Sequence, residues 1–257
     1  MFVQLPNVLF PFKTRYNLCT FRAEFSRQVL TTCRTSLLPH VMKGVTLSET
    51  LPSAATDAII RMAEVDDSRA ILDIYAPYIE QTTITLTSQI PSIDEIAKTM
   101  MAVKRQYPYL VCCVGSKVVG FAYAHRIRPH EAYLWNAELS VYILPEYQGR
   151  GVGTALYTAL FQILKVQGFC NLYAVITLPS DASIALHKHF GFTETCVQKA
   201  VGYKLGEWRD VLWMELRIEG AIDPGVHGPP HLLKDVRPND IDTALALAAT
   251  LLVSAKQ

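Results

Sequence analysis

Six consecutive residues, Gln148-Gly149-Arg150-Gly151-Val152-Gly153, stand between an apolar strand pattern and an amphipathic helix pattern. Glycines let a backbone turn without a Cβ in the way, so successive N–H groups can converge on one point. The helix behind them adds the partial positive charge of its N-terminus, and Arg150 adds a full charge at the rim. Such a turn can hold a pyrophosphate; a purely structural strand-to-helix turn satisfies the same pattern. The spacing is not the G-x-G-x-x-G of a dinucleotide fold, and the G-x-x-x-x-G-K-[ST] of a P-loop is absent.

Two nearby side chains could move protons. Glu138 lies on the apolar strand that leads into the turn, where a carboxylate must be solvated, paired or functional, because burying it alone is costly. His187, in Leu186-His187-Lys188-His189-Phe190-Gly191, sits on a helix pattern. An imidazole there can donate a proton near neutral pH, or can be an ordinary polar-face residue. His189 points elsewhere on that helix and reads as structural or exposed.

The elements that must position these groups follow from hydrophobic period and punctuation. Residues 58–62 read as a strand. Asp66 is placed to cap a helix carrying Ala70, Ile71, Ile74, Tyr75 and Tyr78 on one face, and Ser92 to cap a second with Ile96, Met100 and Val103. Residues 109–114 and 117–124 flank a Gly115-Ser116 turn as a hairpin. A long strand is expected over 132–144, a helix over 154–167 stopped by Gly168, a strand over 171–178, and a helix over 182–190 capped by Asp181. Two late strands, near 200–204 and 211–217, complete an α/β domain whose mixed sheet carries helices on both faces. The domain is taken as 57–218, preceded by an extension (1–56) and followed by a tail (219–257). The tail has a Gly/Pro-rich start (220–230) and a helix pattern at 240–255, which could pack on the domain or on another subunit.

Composition narrows the function classes. The 257-residue chain is half apolar with a formal charge of +1, which gives a polyanion little to attract, so nucleic acid is not expected as a partner. No apolar run reaches the ~18–20 residues needed to span a bilayer, so no membrane partner is expected. None of the six cysteines sits in a C-x-x-C pair and no His/Cys cluster has zinc-ligand spacing, so no metal and reduced thiols are expected. The neighbours Cys112 and Cys113 should send one thiol into the core and one away. Residues 1–47 hold six Lys/Arg and one acid, Glu24, with a basic amphipathic pattern at 22–30. That composition fits either an organelle transit peptide or a disordered extension. A cytoplasmic setting is expected, with mitochondria as the alternative that the basic stretch leaves open.

The turn also fits the Q/R-x-x-G-x-G/A motif of the GCN5-related N-acetyltransferases, as Gln148-x-x-Gly151-x-Gly153. From Arg61 to about Arg217 the chain resembles the phosphinothricin N-acetyltransferase-like group of that superfamily. The matching residues are Ile74-Tyr75, Pro108-Tyr109-Leu110-Val111, Gly120-Phe121-Ala122-Tyr123, Ala132-Tyr133 with Trp135, Glu138-x-Ser140-Val141-Tyr142, Ser183-Ile184 with Leu186-His187, Gly191-Phe192, and Val201-Gly202-x-Lys204-x-Gly206-x-Trp208-x-Asp210-Val211. The resemblance implies a mostly antiparallel sheet and acetyl-CoA as co-substrate. The pantetheine arm would pair with backbone at Val141, Tyr142 and Ile143, and the pyrophosphate would lie on Gly149, Arg150, Gly151, Val152, Gly153 and Thr154, beside Gln148. Ser180 stands where the family usually has a cofactor-touching Asn. Glu138 takes the position of the family's catalytic carboxylate, and His187 that of the group protonating the departing thiolate. Arg128 and His130 fall in a loop used near the acceptor; Ser140 and Trp208 are counted with them, and Asp210 as a structural partner. The implied reaction is direct acetyl transfer to the primary amine of a small amino acid or analogue, of the phosphinothricin or methionine sulfone/sulfoximine type. Acetylation of a protein N-terminus or lysine, and a non-catalytic acyl-CoA-binding module, are the alternatives. The resemblance also suggests a homodimer.

Overall fold

The structure, a computed structural model, describes residues 58–218 and 228–252. The extension with its helix pattern, Cys19 and Cys33, and most of the Gly/Pro-rich stretch lie outside the described residues. Strands β1 (Ala58–Met62), β2 (Tyr109–Val114), β3 (Lys117–Arg126), β4 (Asn136–Ile143), β5 (Asn171–Thr177), β6 (Thr193–Lys204) and β7 (Glu207–Arg217) form one sheet in the order β1-β2-β3-β4-β5-β7-β6. Every neighbouring pair is antiparallel except β4 and β5. The helices are α1 (Ser68–Gln81), α2 (Ile93–Val103), α3 (Val152–Gln167), α4 (Asp181–His189) and α5 (Pro238–Ala249).

Strand alternation divides the core between the two faces of the sheet. Tyr109, Val111, Cys113 and Phe121 pack with Ile71, Ile74, Ile96 and Met100 under α1 and α2. Leu110, Cys112, Ala122 and Leu139 pack with Leu156, Leu160 and Leu164 of α3 on the other face. Cys112 and Cys113 point to opposite faces, as the alternation predicts, and because helices cover both faces both thiols are buried. Burial pushes the Cys112 thiol up to about 12, which leaves it a small apolar group. Helix α3 is apolar on most of its circumference because α5 covers its outer side with Ala244 and Ala248. The tail helix thus packs on this chain's own core. Among the described residues no helix is long and apolar enough to cross a membrane.

Local chemistry explains the boundaries, and corrects some. Ser92 accepts from the Glu95 amide at 3.2 Å while the Glu95 carboxylate accepts from the Ser92 amide at 2.7 Å, a reciprocal cap for α2. Asp66 caps nothing: the chain enters α1 through a 3-10 turn, Val65–Asp67, so it is Asp67 whose carboxylate turns back to the Glu64 amide. The same carboxylate takes two 2.7 Å bonds from Arg61. Asp181 is the first helical residue of α4, with Ser180 in the capping position. The strand expected over 132–144 begins only at Asn136, because Glu131–Tyr133 close a 3-10 turn stabilised by the Tyr133 and Leu134 amides.

Candidate functional site

Strands β4 and β5 are joined by only three registered pairs, Asn136 with Asn171, Ala137 with Leu172 and Glu138 with Tyr173. Beyond Glu138 they part, while β4 keeps its ladder to β3 as far as Ile143 with Gly120. The backbone groups of 139–143 that face β5 consequently have no ladder partner there, and buried backbone groups demand one. The gap is a narrow slot of about 60 Å³ between Leu139, Ser140, Val141 and Tyr142 on one side and Ala174, Val175 and Ile176 on the other. Its remaining walls are Ile84, Tyr157, Ser180, Ser183 and His187. A slot bounded by an unpaired strand edge suits a thin, extended, amide-bearing chain, which can complete the ladder as an added strand would.

β4 runs from the slot into the glycine turn. Gly149 and Gly151 have φ of +70° and +80°, the left-handed region that disfavours a Cβ. Gly151 is the N-cap of α3 and no side chain caps that end. The first-turn amides of Val152, Gly153 and Thr154 are thus available to an anion, since Ala155 is the first to bond within the helix, to Gly151 O at 2.9 Å. The Arg150 guanidinium lies 5.6 Å from the Tyr147 ring centre, which keeps its charge at the turn. Gln148 is engaged differently from a free cofactor contact. Its amide donates to the Tyr78 hydroxyl at 2.8 Å, and that hydroxyl donates to Ile143 O at 2.5 Å, so Gln148 fastens the turn to the end of β4. A slot and an uncapped helix end along one strand fit an amide-bearing arm that ends in a pyrophosphate.

Glu138 occupies the last rung before the strands part, with its side chain 23% exposed. Burial raises its pKa, against the pull of His125 and Arg128. His125 is its cross-strand partner in β3, with Nε2 3.7 Å from Oε1. Two rungs further, on the same face, Ser140 stands opposite Tyr123, whose hydroxyl burial pushes up to about 12 against a smaller opposing pull from Ser140.

His187 is 3% exposed, not a polar-face residue. Its Nδ1 lies 2.7 Å from Ser183 O, and a carbonyl only accepts, so Nδ1 carries the hydrogen. Burial holds the ring's pKa down, so it is neutral, and Nε2 accepts from the Tyr157 hydroxyl at 3.1 Å. Ser180 lines the slot and makes no side-chain cap bond. His189 is exposed.

The expected acceptor residues are less closely grouped. Arg128 is exposed, 5.7 Å over the Trp213 ring and near enough to act on Glu138. His130 is exposed beside Tyr133, which is itself on the surface, 43% exposed. Trp208 is 64% exposed against Tyr203 on the β6–β7 hairpin and lines neither described cavity. Asp210 accepts from Lys199 Nζ at 2.8 Å and from the Ala200 amide at 2.9 Å, which holds a bulge in β6. A second cavity, of about 180 Å³, lies under the segment joining α1 and α2. Tyr75, Tyr109, Phe121 and Tyr123 wall it, and it shares Tyr142 with the slot. His125, Tyr157 and this aromatic cavity were not singled out from sequence. Strand register alone brings His125 to Glu138, and the only sequence signal for Tyr157 is its place on the apolar helix.

A family model described as an acetyltransferase (GNAT) domain matches residues 60–213. The phosphinothricin N-acetyltransferase of Streptomyces viridochromogenes is 38% identical over 152 residues, 59% of this chain and 83% of that protein. An L-methionine sulfoximine/L-methionine sulfone acetyltransferase of Pseudomonas aeruginosa is 32% identical, across 63% of this chain and 95% of its own. Among solved structures, a phosphinothricin acetyltransferase from Sinorhizobium meliloti in complex with acetyl-CoA superposes with a TM-score of 0.62 at 32% identity, covering 71% of this chain and 97% of that one.

Proposed function

The chain belongs to the acetyltransferase (GNAT) family, and from that premise we propose that it moves the acetyl group of acetyl-CoA to the primary amine of a small amino acid or analogue. The observation that carries this reading is the position of Glu138, on the rung where β4 and β5 separate and at the head of a slot that runs toward the uncapped turn. Acetyl-CoA supplies an activated acyl group; the chain's residues must hold it, free the amine of its proton and stabilise developing charge. Backbone at Val141, Tyr142 and Ile143 would pair with the pantetheine arm, with Ser180 beside it. The amides from Gly149 to Thr154, with Arg150, would hold the pyrophosphate, and Gln148 would keep that turn in place.

An alkyl ammonium cannot attack an acyl carbon, so a base must take its proton. Glu138, held above the ordinary carboxylate range by burial, is a better base than a free side chain and passes the proton toward solvent beside His125. The oxyanion developing on the carbonyl would be met by a backbone N–H of 141–143. Arg128 offers a bidentate fork to an acceptor carboxylate, and Ser140, His130 and Trp208 are assigned to the acceptor side with it. Relatives named for phosphinothricin and for methionine sulfoximine or sulfone support acceptors of that type. His187 is assigned to the departing thiolate only indirectly: Ser183 O holds its Nδ1 hydrogen and its Nε2 accepts from Tyr157, so it has no proton to give and serves to orient the Tyr157 hydroxyl in the slot wall. A thiol of pKa about 8.5 leaves without much help, so His187→Ala should lower kcat clearly less than removal of Glu138 does, read by single-turnover rates.

A homodimer is part of the proposal. Val201, Tyr203, Leu205 and Trp208 form an exposed apolar stretch on the β6–β7 hairpin that a second copy could cover. The catalytic unit is taken as 57–218 and its setting as the cytoplasm; a mitochondrial address would reside in residues outside those described. The deciding assay is thiol release from acetyl-CoA with a panel of amino acids, peptides and lysine-bearing proteins. Release with free amino acids is the expected result. Release with peptides alone would move the acceptor to protein amines, and CoA binding with no release for any amine would make the chain a binding module.

A further inference from the structure

Lys204 ends β6 and is only 6% exposed, a costly place for an ammonium. Among the described residues it pairs with no carboxylate, and burial lowers its pKa. Its Nζ donates instead to Thr85 O at 2.7 Å, in the segment that joins α1 to α2. Two residues earlier, a Cβ added to Gly202 would lie 2.5 Å from Cδ1 of Leu86, so β6 packs directly on this half-exposed side chain, and an alanine there would have to displace it. The end of β6 therefore grips Thr85 and Leu86 together. The bulge that Asp210 holds sets the approach, because β6 changes register between Gln198 and Gly202.

What is gripped is a wall of the site. Ile84 lines the slot, Thr87 lines the aromatic cavity, and Thr85 Oγ1 bonds the Tyr75 hydroxyl at 3.1 Å. We propose that Lys204 is a positioning residue for the acceptor: with Gly202 it holds residues 84–87 as the wall between the slot and the aromatic cavity. A buried cation bonded to a single carbonyl fits that task, since a charge-assisted bond fixes a backbone segment more firmly than a neutral one. Lys204 touches neither acetyl group nor amine; its influence passes through Thr85. The inference rests on the slot being the acetyl-transfer site.

The test is Lys204→Met in the full chain, with steady-state kinetics for both substrates and amide hydrogen exchange. The expected result is an acceptor KM raised about tenfold, an acetyl-CoA KM nearly unchanged, and faster exchange confined to residues 82–91. Lys204→Arg, which keeps a charged donor, should recover part of the loss. Should Lys204→Met fail to fold, Gly202→Ala decides: it should raise the acceptor KM, and adding Leu86→Ala should relieve it. Equal rises in both KM values, or exchange that quickens throughout the domain, would reduce Lys204 to a stabilising residue and overturn the inference. Wild-type turnover with unaltered kinetics in a folded Lys204→Met would overturn it alone. A wild type that turns over no amine would overturn the proposed function instead, and the exchange pattern would still decide the grip.

Discussion

Glu138→Gln is expected to lower kcat by about 10²–10⁴-fold, the range that a positioned general base contributes, with acetyl-CoA affinity essentially intact. The amide keeps the volume of the side chain and can still accept a hydrogen bond, but it cannot take a proton at neutral pH. It also removes the charge that faces His125 at 3.7 Å, a loss on the acceptor side of the slot and away from the glycine turn. In the wild type the sign of the pH effect is set by burial, which raises the Glu138 pKa against the pull of His125 and Arg128. The base works only when ionised. Activity should therefore fall as pH drops through that raised pKa, at a higher pH than a free carboxylate would give, and remain on the alkaline side. A pH profile of kcat/KM for wild type beside Glu138→Gln checks both points. A variant that keeps most of its kcat, or a wild-type acidic limb in the ordinary carboxylate range, would remove Glu138 from the role of base.

Gly151→Asp should weaken acetyl-CoA binding by about 10–100-fold, the equivalent of one charge-assisted hydrogen bond of ~1.5–3 kcal/mol. Gly151 is the N-cap of α3 at φ +80°, a left-handed conformation that aspartate tolerates better than most side chains, so the variant should fold despite that penalty. Its carboxylate would then occupy the amides of Val152 to Thr154 that are otherwise open to the pyrophosphate, and add a like charge. Gly151→Ala separates the two effects. It meets only the penalty of an alanine at φ +80°, roughly 1–2 kcal/mol, without an anion. Calorimetric titration with CoA distinguishes the cases. Equal affinity for wild type and the aspartate variant would move the pyrophosphate elsewhere.

The order of elements was readable because hydrophobic period and punctuation agree along most of the chain. The glycine turn, the Ser92 cap and the Gly168 stop all coincide with observed boundaries. Errors arose where side chains have two uses. Tyr133 and Trp135 are good strand formers, yet they belong to a turn and its exit. Asp66 and Asp181 look like caps, but the neighbouring residue takes that position. β6 is longer than its pattern suggests, because nearly all of it is exposed and no burial alternation marks its start. At the site, Glu138 and the turn could be recognised in one dimension. The His125–Glu138 rung, the Tyr157–His187 pair and the Lys204–Thr85 bond join residues far apart in the chain, and only the assembled sheet brings them together.

The short union of β4 with β5 has a consequence for the whole molecule. Within the sheet, β1 to β4 meet β5 to β7 only through those three pairs. The protein is therefore built with one plank missing from its floor, and whatever lies in the slot serves as that plank. On this view the co-substrate is for a time a piece of architecture as well as a reagent. With acetyl-CoA in the proposed place, its arrival would knit two half-sheets and its departure would loosen them, with Glu138 at the last stitch that the protein makes for itself.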